Sequence, residues 1–280
     1  MHPQTENSGS LLYRGCGRAG LHWAVTPQNA QLEFISAGTA VLARQETLSA
    51  GSPEDEWAVI PHSGRLLVSC TGLPQGTVIG GRKDVFAGQA HALYLPPGHT
   101  AVLTALDAAE CAVVRVPAHA DRCSPVPVVI SPQDNGRRIV GREQWLRNVY
   151  DVIPPDFPAH RLVLGETYNL PGRWSSYPPH KHDTDAPPHE TQHEEVYLFR
   201  LDKPQGFGVQ HVYAPAGIRG PQLDECYAVR DFDVTVLPRG YHPVAAAPGY
   251  SLYYLWVLCG TQRRSIIADD PAHAWIHGLT

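Results

Sequence analysis

The sequence predicts an all-β protein made of two similar halves, and three observations lead to this prediction. Short apolar runs recur along the chain, 26 prolines and 25 glycines punctuate it, and no segment shows a long amphipathic helical pattern. Brief strands at regular spacing, with turn residues between them, are typical of β-sandwiches and β-barrels. With 43% hydrophobic and 18% charged residues, a chain of 280 residues can bury a core of that kind.

The predicted strands follow from local sequence in chain order. In the first half the runs are AVLARQETLS, GRLLVSCTG, HALYLPPG, TAVLTA and CAVVRVPA, which begin at residues 40, 64, 91, 100 and 111. In the second half they are VYLFRL, GFGVQHVYA, DVTVLPRG and SLYYLWVLCG, which begin at residues 196, 206, 233 and 251. Because most runs end close to glycine or proline, we expect turns between them and few, short helices.

One pair of segments indicates an internal duplication. ALYLPPGHTAVLTA (92–105) and VTVLPRGYHPVAAA (234–247) each run from an apolar strand through P-x-G into a second apolar strand, about half the chain apart. Such self-similarity suggests one β-module present twice. We therefore predict a first domain over residues 1–130, a connection over residues 131–155 and a second domain over residues 156–280.

Charge and hydropathy exclude several classes of partner. The net charge is -5 and the pI is near 6.3, whereas a nucleic-acid surface needs clustered Lys and Arg. The amino terminus lacks the pattern of a secretory signal, and the longest apolar run is too short to cross a bilayer as a helix. We expect a cytoplasmic protein with a small-molecule partner, no nucleic acid and no membrane, as a monomer or a homo-oligomer.

The stretch WSSYPPHKHDTDAPPHETQHEEVYLFR, residues 174–200, carries a candidate metal site. His180 and His182 flank one residue, so on an extended chain both imidazoles point to the same face. His242, after the second P-x-G, and a carboxylate from the next strand would complete a set of three histidines and one acid. Strand alternation does not decide between Glu195 and its neighbours Glu190 and Glu194.

The two copies differ in this respect. The first P-x-G is followed by His99, one position earlier than His242 follows the second, and no H-x-H precedes it. We therefore expect the metal site in the second domain and a degenerate first domain without metal ligands.

The motif set resembles the two-part pattern of cupins, small β-barrels that hold a metal at the barrel mouth. H-x-H, then Glu-Val opening a strand, then P-x-G and a further histidine are all present. The glutamate directly before valine in that pattern corresponds to Glu195, which the resemblance therefore implies as the carboxylate ligand. Cupins usually have a much shorter interval at this point, whereas residues 183–194 intervene here.

Longer motifs are similar to one family, 5-deoxy-glucuronate isomerase of myo-inositol catabolism. They are GRWSSYPPHKHD, EEVYLFRLDKPQGFGVQHVY, LPRGYHPVAAAPGYSLYYLWVLCG, DDPAHAW and, in the first half, GGRKDVFAGQAHALYLPPG; the similarity runs from about Leu11 to Trp275. The resemblance implies a bicupin, two cupin-type β-barrels, that converts 5-deoxy-D-glucuronate to 5-dehydro-2-deoxy-D-gluconate. It is thus expected to be an aldose–ketose isomerase in carbohydrate metabolism.

That reaction defines the residues to look for. Moving a carbonyl from C1 to C2 requires a base, and a divalent metal, zinc ahead of manganese or iron, would stabilise the enediolate. The candidate bases are Glu166, Glu190, Glu194 and Tyr241. An arginine fork suits the substrate carboxylate, and the candidates are Arg173 and Arg239, with Gln205 for a hydroxyl. Lys181 is discounted because an extended strand points it away from the flanking histidines.

Three other functions stay open. A related bicupin would isomerise a deoxy-ketouronate, an Fe(II) oxygenase would use the same ligand types, and a non-catalytic cupin would bind a sugar.

Overall fold

Strands form almost all of the regular structure in a computed structural model that describes residues 9–119, 126–217 and 219–279. The first eleven strands are β1 (Leu12–Tyr13), β2 (Gly20–Val25), β3 (Ser36–Leu42), β4 (Thr47–Ala50), β5 (Asp55–Ser63), β6 (Arg65–Cys70), β7 (Val78–Gly80), β8 (Ala92–Leu95), β9 (Ala101–Ala105), β10 (Ala109–Pro117) and β11 (Val128–Ile130). The next twelve are β12 (Gly136–Val140), β13 (Arg147–Ile153), β14 (Val163–Asn169), β15 (Trp174–Ser175), β16 (His180–Lys181), β17 (His193–Leu201), β18 (Gly208–Ala214), β19 (Leu223–Val229), β20 (Val234–Leu237), β21 (Val244–Ala246), β22 (Leu252–Gly260) and β23 (Ala268–Asp269).

Helical structure in the described residues is confined to short 3-10 segments. They are Val85–Ala87, Pro132–Asp134, Glu143–Trp145 and Ala274–Gly278. The predicted all-β fold with few short helices is confirmed. None of the helices among these residues is long and apolar enough to span a membrane.

Each half of the chain builds a pair of facing sheets. The first half has a six-stranded sheet, β11-β8-β5-β10-β3-β2, and a four-stranded sheet, β4-β9-β6-β7. The second half has a seven-stranded sheet, β1-β20-β17-β22-β14-β13-β12, and a four-stranded sheet, β15-β21-β18-β19, while β16 pairs with β23. Alternating residues of facing sheets fill the space between them, as in other β-sandwiches and barrels.

The two large sheets pack against each other, which explains the continuous apolar run of β22. All nine residues from Leu252 to Gly260 are buried. One face of this strand lines its own barrel, while the other joins a core cluster that includes Tyr94 and Val114 of the first half. A strand covered on both faces loses the alternation of a half-exposed strand.

The strand orders confirm the internal duplication. β8-β5-β10-β3 in the first sheet matches β20-β17-β22-β14 in the second. Equivalent glutamates make equivalent contacts: Glu56 on β5 accepts hydrogen bonds from the backbone N–H groups of residues 160–162, and Glu194 on β17 accepts them from residues 33–35. The next residues along these strands, Trp57 and Glu195, therefore correspond.

One strand of the first half joins the sheet of the second. β1, from the amino-terminal end, pairs with β20, whereas β11 pairs with β8 within the first half. The segment predicted as a connection, residues 131–155, contains β12 and β13, which extend the seven-stranded sheet. The predicted domain bounds at residues 130 and 155 stay predictions.

Candidate metal centre

Two histidines and one glutamate meet in the second barrel. His182 directly follows β16, Glu195 lies on β17, and His242 follows the turn after β20. One ligand atom from each lies within 4.8 Å of the others, and all three residues are buried. The imidazole Nε2 atoms of His182 and His242 lie 3.0 and 3.2 Å from the same carboxylate oxygen, Oε2 of Glu195.

The backbone orients both imidazoles for metal binding. His182 Nδ1 lies 3.1 Å from the carbonyl oxygen of His193, and His242 Nδ1 lies 2.9 Å from that of Gly240. When each Nδ1–H donates to its carbonyl, each Nε2 is unprotonated, so that both Nε2 atoms and Glu195 Oε2 offer lone pairs to a cation placed among them, an arrangement common for metal-bound histidine. His242 Nε2 has no hydrogen-bond partner within the described residues. The donor set therefore fits a divalent cation.

The electrostatics of the centre keep the carboxylate ionised. Burial raises the pKa of Glu195, but its contacts with His182 and His242 outweigh this effect and lower the pKa to about 2. Burial lowers the pKa of His182, and the neighbouring carboxylate more than offsets it, so that the net shift is upward. A carboxylate that carries its charge at neutral pH is the form that binds metal.

His180, the fourth predicted ligand, lies beside this group. Its ring centroid is 4.9 Å from that of His242 and 6.3 Å from that of His182. Burial, together with the two neighbouring histidines, lowers the pKa of His180 well below its usual value, so the imidazole is neutral and can offer a lone pair.

Comparisons with known proteins agree with this geometry. The KduI/IolB family model matches residues 11–276. The chain belongs to the KduI/IolB family. Proteins named 5-deoxy-glucuronate isomerase are similar over 90% of this chain: the one from Geobacillus kaustophilus is 35% identical and is covered over 89% of its length, and the one from Bacillus subtilis strain 168 is 33% identical and covered over 91%.

Solved structures show the same architecture. The crystal structure of an IolB-like protein from Salmonella typhimurium is 34% identical, with a TM-score of 0.88 over 96% of this chain and 100% of that chain. An oxalate decarboxylase from Lactobacillus farciminis is only 14% identical but has a TM-score of 0.66 over 100% of this chain and 92% of its own, which supports the bicupin fold.

The structure of this KduI/IolB family member places the candidate base Glu166 away from the histidines. Glu166 is fully buried on the side of β14 that faces the first half. It forms an ion pair with Arg82 at 2.8 Å and accepts hydrogen bonds from the hydroxyls of Tyr168 and Tyr253. These contacts occupy both carboxylate oxygens, so Glu166 holds the two halves of this family member together.

Glu194 also contacts the first half. Its carboxylate accepts three hydrogen bonds, at 2.6 to 2.8 Å, from the backbone N–H groups of Glu33, Phe34 and Ile35. Because Glu194 and Glu195 are adjacent on one strand, their side chains point to opposite faces. Glu195 reaches the histidines, and Glu194 does not.

Glu190 lies in a buried charged cluster behind the H-x-H motif. Lys181 Nζ donates to both carboxylate oxygens of Glu190, at 2.9 and 2.7 Å, and to Asp183 at 2.7 Å. Asp183 in turn accepts from the backbone N–H of Gly240. Lys181 points away from the histidines, as alternation predicts, and this cluster fixes the two ligand-bearing loops relative to each other.

Tyr241 is buried and packs against Tyr213. Its backbone pairs with that of Tyr213, and the two rings lie 5.2 Å apart. The hydroxyl of Tyr213 donates to Asp270 beside it. Since Tyr241 and His242 are consecutive and the imidazole points inward, the phenol is not brought to the metal centre.

The three predicted substrate-binding residues also lie outside the cluster of histidines. Arg173 is half-buried, with Nη1 3.5 Å from the carbonyl oxygen of Leu146, and Arg239 donates to the carbonyl of Pro221 at 2.6 Å. Gln205 is exposed in the turn that follows the carboxyl-terminal end of β17, whereas Glu195 lies near the start of that strand.

Other polar residues line the barrel instead. The hydroxyl of Tyr197 lies 2.9 Å from that of Ser176, and Gln210 donates to the carbonyl of His242 at 2.8 Å. Alternation already places Tyr197 on the same face of β17 as Glu195. No comparable signal marks Gln210, because burial of its amide depends on how the sheets face each other.

Proposed function

We propose that this chain is a metal-dependent aldose–ketose isomerase that converts 5-deoxy-D-glucuronate to 5-dehydro-2-deoxy-D-gluconate. The main support is the convergence of buried His182, Glu195 and His242 in a chain that resembles 5-deoxy-glucuronate isomerases over 90% of its length. With this substrate, a small-molecule uronic acid, the reaction belongs to myo-inositol catabolism, and we expect it in the cytoplasm.

A divalent ion would be held by His182, Glu195 and His242, with His180 as a fourth ligand. Such an ion supplies positive charge where negative charge develops on the substrate oxygens. We propose zinc ahead of manganese and iron, because imidazole nitrogens and one carboxylate are a common donor set for catalytic zinc.

Tyr197 is the residue we propose as a proton-bearing hydrogen-bond donor to the substrate. Burial, reinforced by the charge of Glu195, raises the pKa of Tyr197 well above its usual value, so its hydroxyl keeps the proton at neutral pH. Ser176 Oγ orients that hydroxyl. A protonated phenol beside the carboxylate ligand is suited to donate a hydrogen bond to an oxygen that gains negative charge.

The test is metal analysis of the purified protein combined with NMR of 5-deoxy-glucuronate in D2O. We expect about one divalent ion per chain and formation of the ketose, with deuterium at product C1 if the transferred proton exchanges with solvent. Absence of conversion by metal-loaded protein would contradict the proposal. Oxygen consumption coupled to turnover would indicate an oxygenase instead.

A further inference from the structure

Arg147, at the start of β13, is a buried arginine that has no counter-charge in the part of the chain that the structure describes. Only 8% of the residue is exposed. Its Nη1 donates to the carbonyl oxygens of Trp145 and Tyr177, both at 3.1 Å, and its Nε has no hydrogen-bond partner. Among the described residues, no carboxylate forms an ion pair with it. Burying an unpaired charge costs free energy, so the guanidinium of Arg147 is suited to bind an anionic partner.

The same barrel interior holds Arg147 and the metal centre. Arg147 lies directly opposite Asn169 on β14. The amide of Asn169 donates to Ser175 Oγ at 2.8 Å, and the hydroxyl of Tyr254 donates to the same atom at 2.9 Å. The carbonyl oxygen of Asn169's side chain has no partner of its own among the described residues. These groups form a polar wall beside the guanidinium.

This polar wall continues to the metal ligands. The ring of Tyr254 lies 4.4 Å from that of Tyr197, which is two residues beyond Glu195 on β17. Arg147 Nη1 also reaches the segment that carries the H-x-H motif, because Tyr177, whose carbonyl oxygen accepts from it at 3.1 Å, lies three residues before His180. One end of the barrel interior thus offers lone pairs for a cation, and another offers a cationic fork.

We infer that Arg147 binds the carboxylate of the uronic acid substrate and so determines specificity for acids over neutral sugars. This inference rests on the proposed function. A uronic acid carries its carboxylate at the opposite end of the carbon chain from the reacting C1 and C2. A planar guanidinium can bind both carboxylate oxygens, which would orient the carbonyl end toward the metal centre.

The experiment compares the acid substrate with its neutral amide. Wild type, Arg147→Gln, Arg147→Lys and Arg138→Gln are assayed with 5-deoxy-glucuronate and 5-deoxy-glucuronamide. Arg138 lies on the neighbouring strand in an exposed ion pair with Asp151, which makes it the matched control. Calorimetry with the C1 alcohols of both compounds, which cannot isomerise, measures binding separately from turnover.

We expect wild type and Arg138→Gln to prefer the acid about 100-fold in kcat/KM, and Arg147→Gln to lose that preference while retaining its metal. Arg147→Lys should keep the charge but raise KM, because it lacks the fork. Equal use of acid and amide by wild type would overturn the inference without any variant, as would an unchanged acid preference in Arg147→Gln. Absence of turnover of 5-deoxy-glucuronate by wild type would instead overturn the proposed function.

Discussion

Replacing Glu166 by glutamine tests whether this residue is structural or catalytic. Glu166 and Arg82 form a 2.8 Å ion pair whose side chains are 0% and 4% exposed. Burial lowers the pKa of Arg82, but the charge of Glu166 and its neighbours outweighs that effect and raises it. Glutamine keeps the shape of the side chain while leaving the guanidinium buried without its counter-charge.

The expected cost is large because one partner of a buried pair is removed. Breaking such a pair costs about 3–5 kcal/mol of unfolding free energy, whereas an exposed pair contributes about 1 kcal/mol or less. We therefore expect Glu166→Gln to lower the unfolding free energy by about 3 kcal/mol in urea titrations. Because the residue faces away from the metal centre, kcat at 25 °C should stay within about twofold of wild type.

The control is Asp151→Asn, which breaks the ion pair with Arg138, a side chain that is 54% exposed. It should shift the unfolding free energy by less than about 1 kcal/mol. A Glu166→Gln protein with nearly unchanged stability and a kcat reduced about 100-fold would refute this reasoning and identify Glu166 as the catalytic base.

Three further predictions follow from the same structure. His242→Ala should reduce bound metal from about one ion per chain to below about 0.1 by elemental analysis, with an unchanged far-ultraviolet circular dichroism spectrum. Tyr241→Phe should leave kcat within about twofold, since its ring packs against Tyr213 and not against the metal ligands; a loss of tenfold or more would place its hydroxyl at the substrate. Burial raises the pKa of Glu110, but its hydrogen bond with His62 and the charge of Arg200 lower it to about 2, below the ordinary 4.5. The ionised Glu110 therefore contributes fully to the unfolding free energy above about pH 4.5, and this contribution is lost as the pH falls toward 2. The difference in unfolding free energy between wild type and Glu110→Gln should shrink over that interval. A difference that stays constant with pH would contradict this prediction.

Most of the fold is predictable from local patterns in the sequence. The repeated P-x-G segments predict the duplication, and the paired glutamates Glu56 and Glu194 show it in three dimensions. The pairing of β1 with the second half was not predictable, because β1 is only two residues long and its partner strand is more than 200 residues away. Prolines bound the segment 131–155 and predict a connection, yet its strands β12 and β13 extend the seven-stranded sheet.

The candidate site was predictable only where residues are close in sequence or follow a motif. Alternation explains why His182 and Lys181 point to opposite sides, and the cupin pattern singles out Glu195. Neither alternation nor the cupin pattern predicts that Glu166 faces the first half of the protein, because its direction depends on how the two large sheets pack. The burial of Arg147 is not predictable for the same reason, because it depends on the barrel that forms around the side chain.

Removing and restoring the metal tests whether the buried histidines and glutamate form a catalytic centre. Chelator-stripped protein should bind one divalent ion per chain and regain isomerisation of 5-deoxy-glucuronate in proportion to the metal bound. The His182→Ala and His242→Ala double variant should neither bind the ion nor regain turnover. Full turnover by metal-free wild type, or full metal binding by the double variant, would contradict the claim that His182, Glu195 and His242 form the catalytic metal centre.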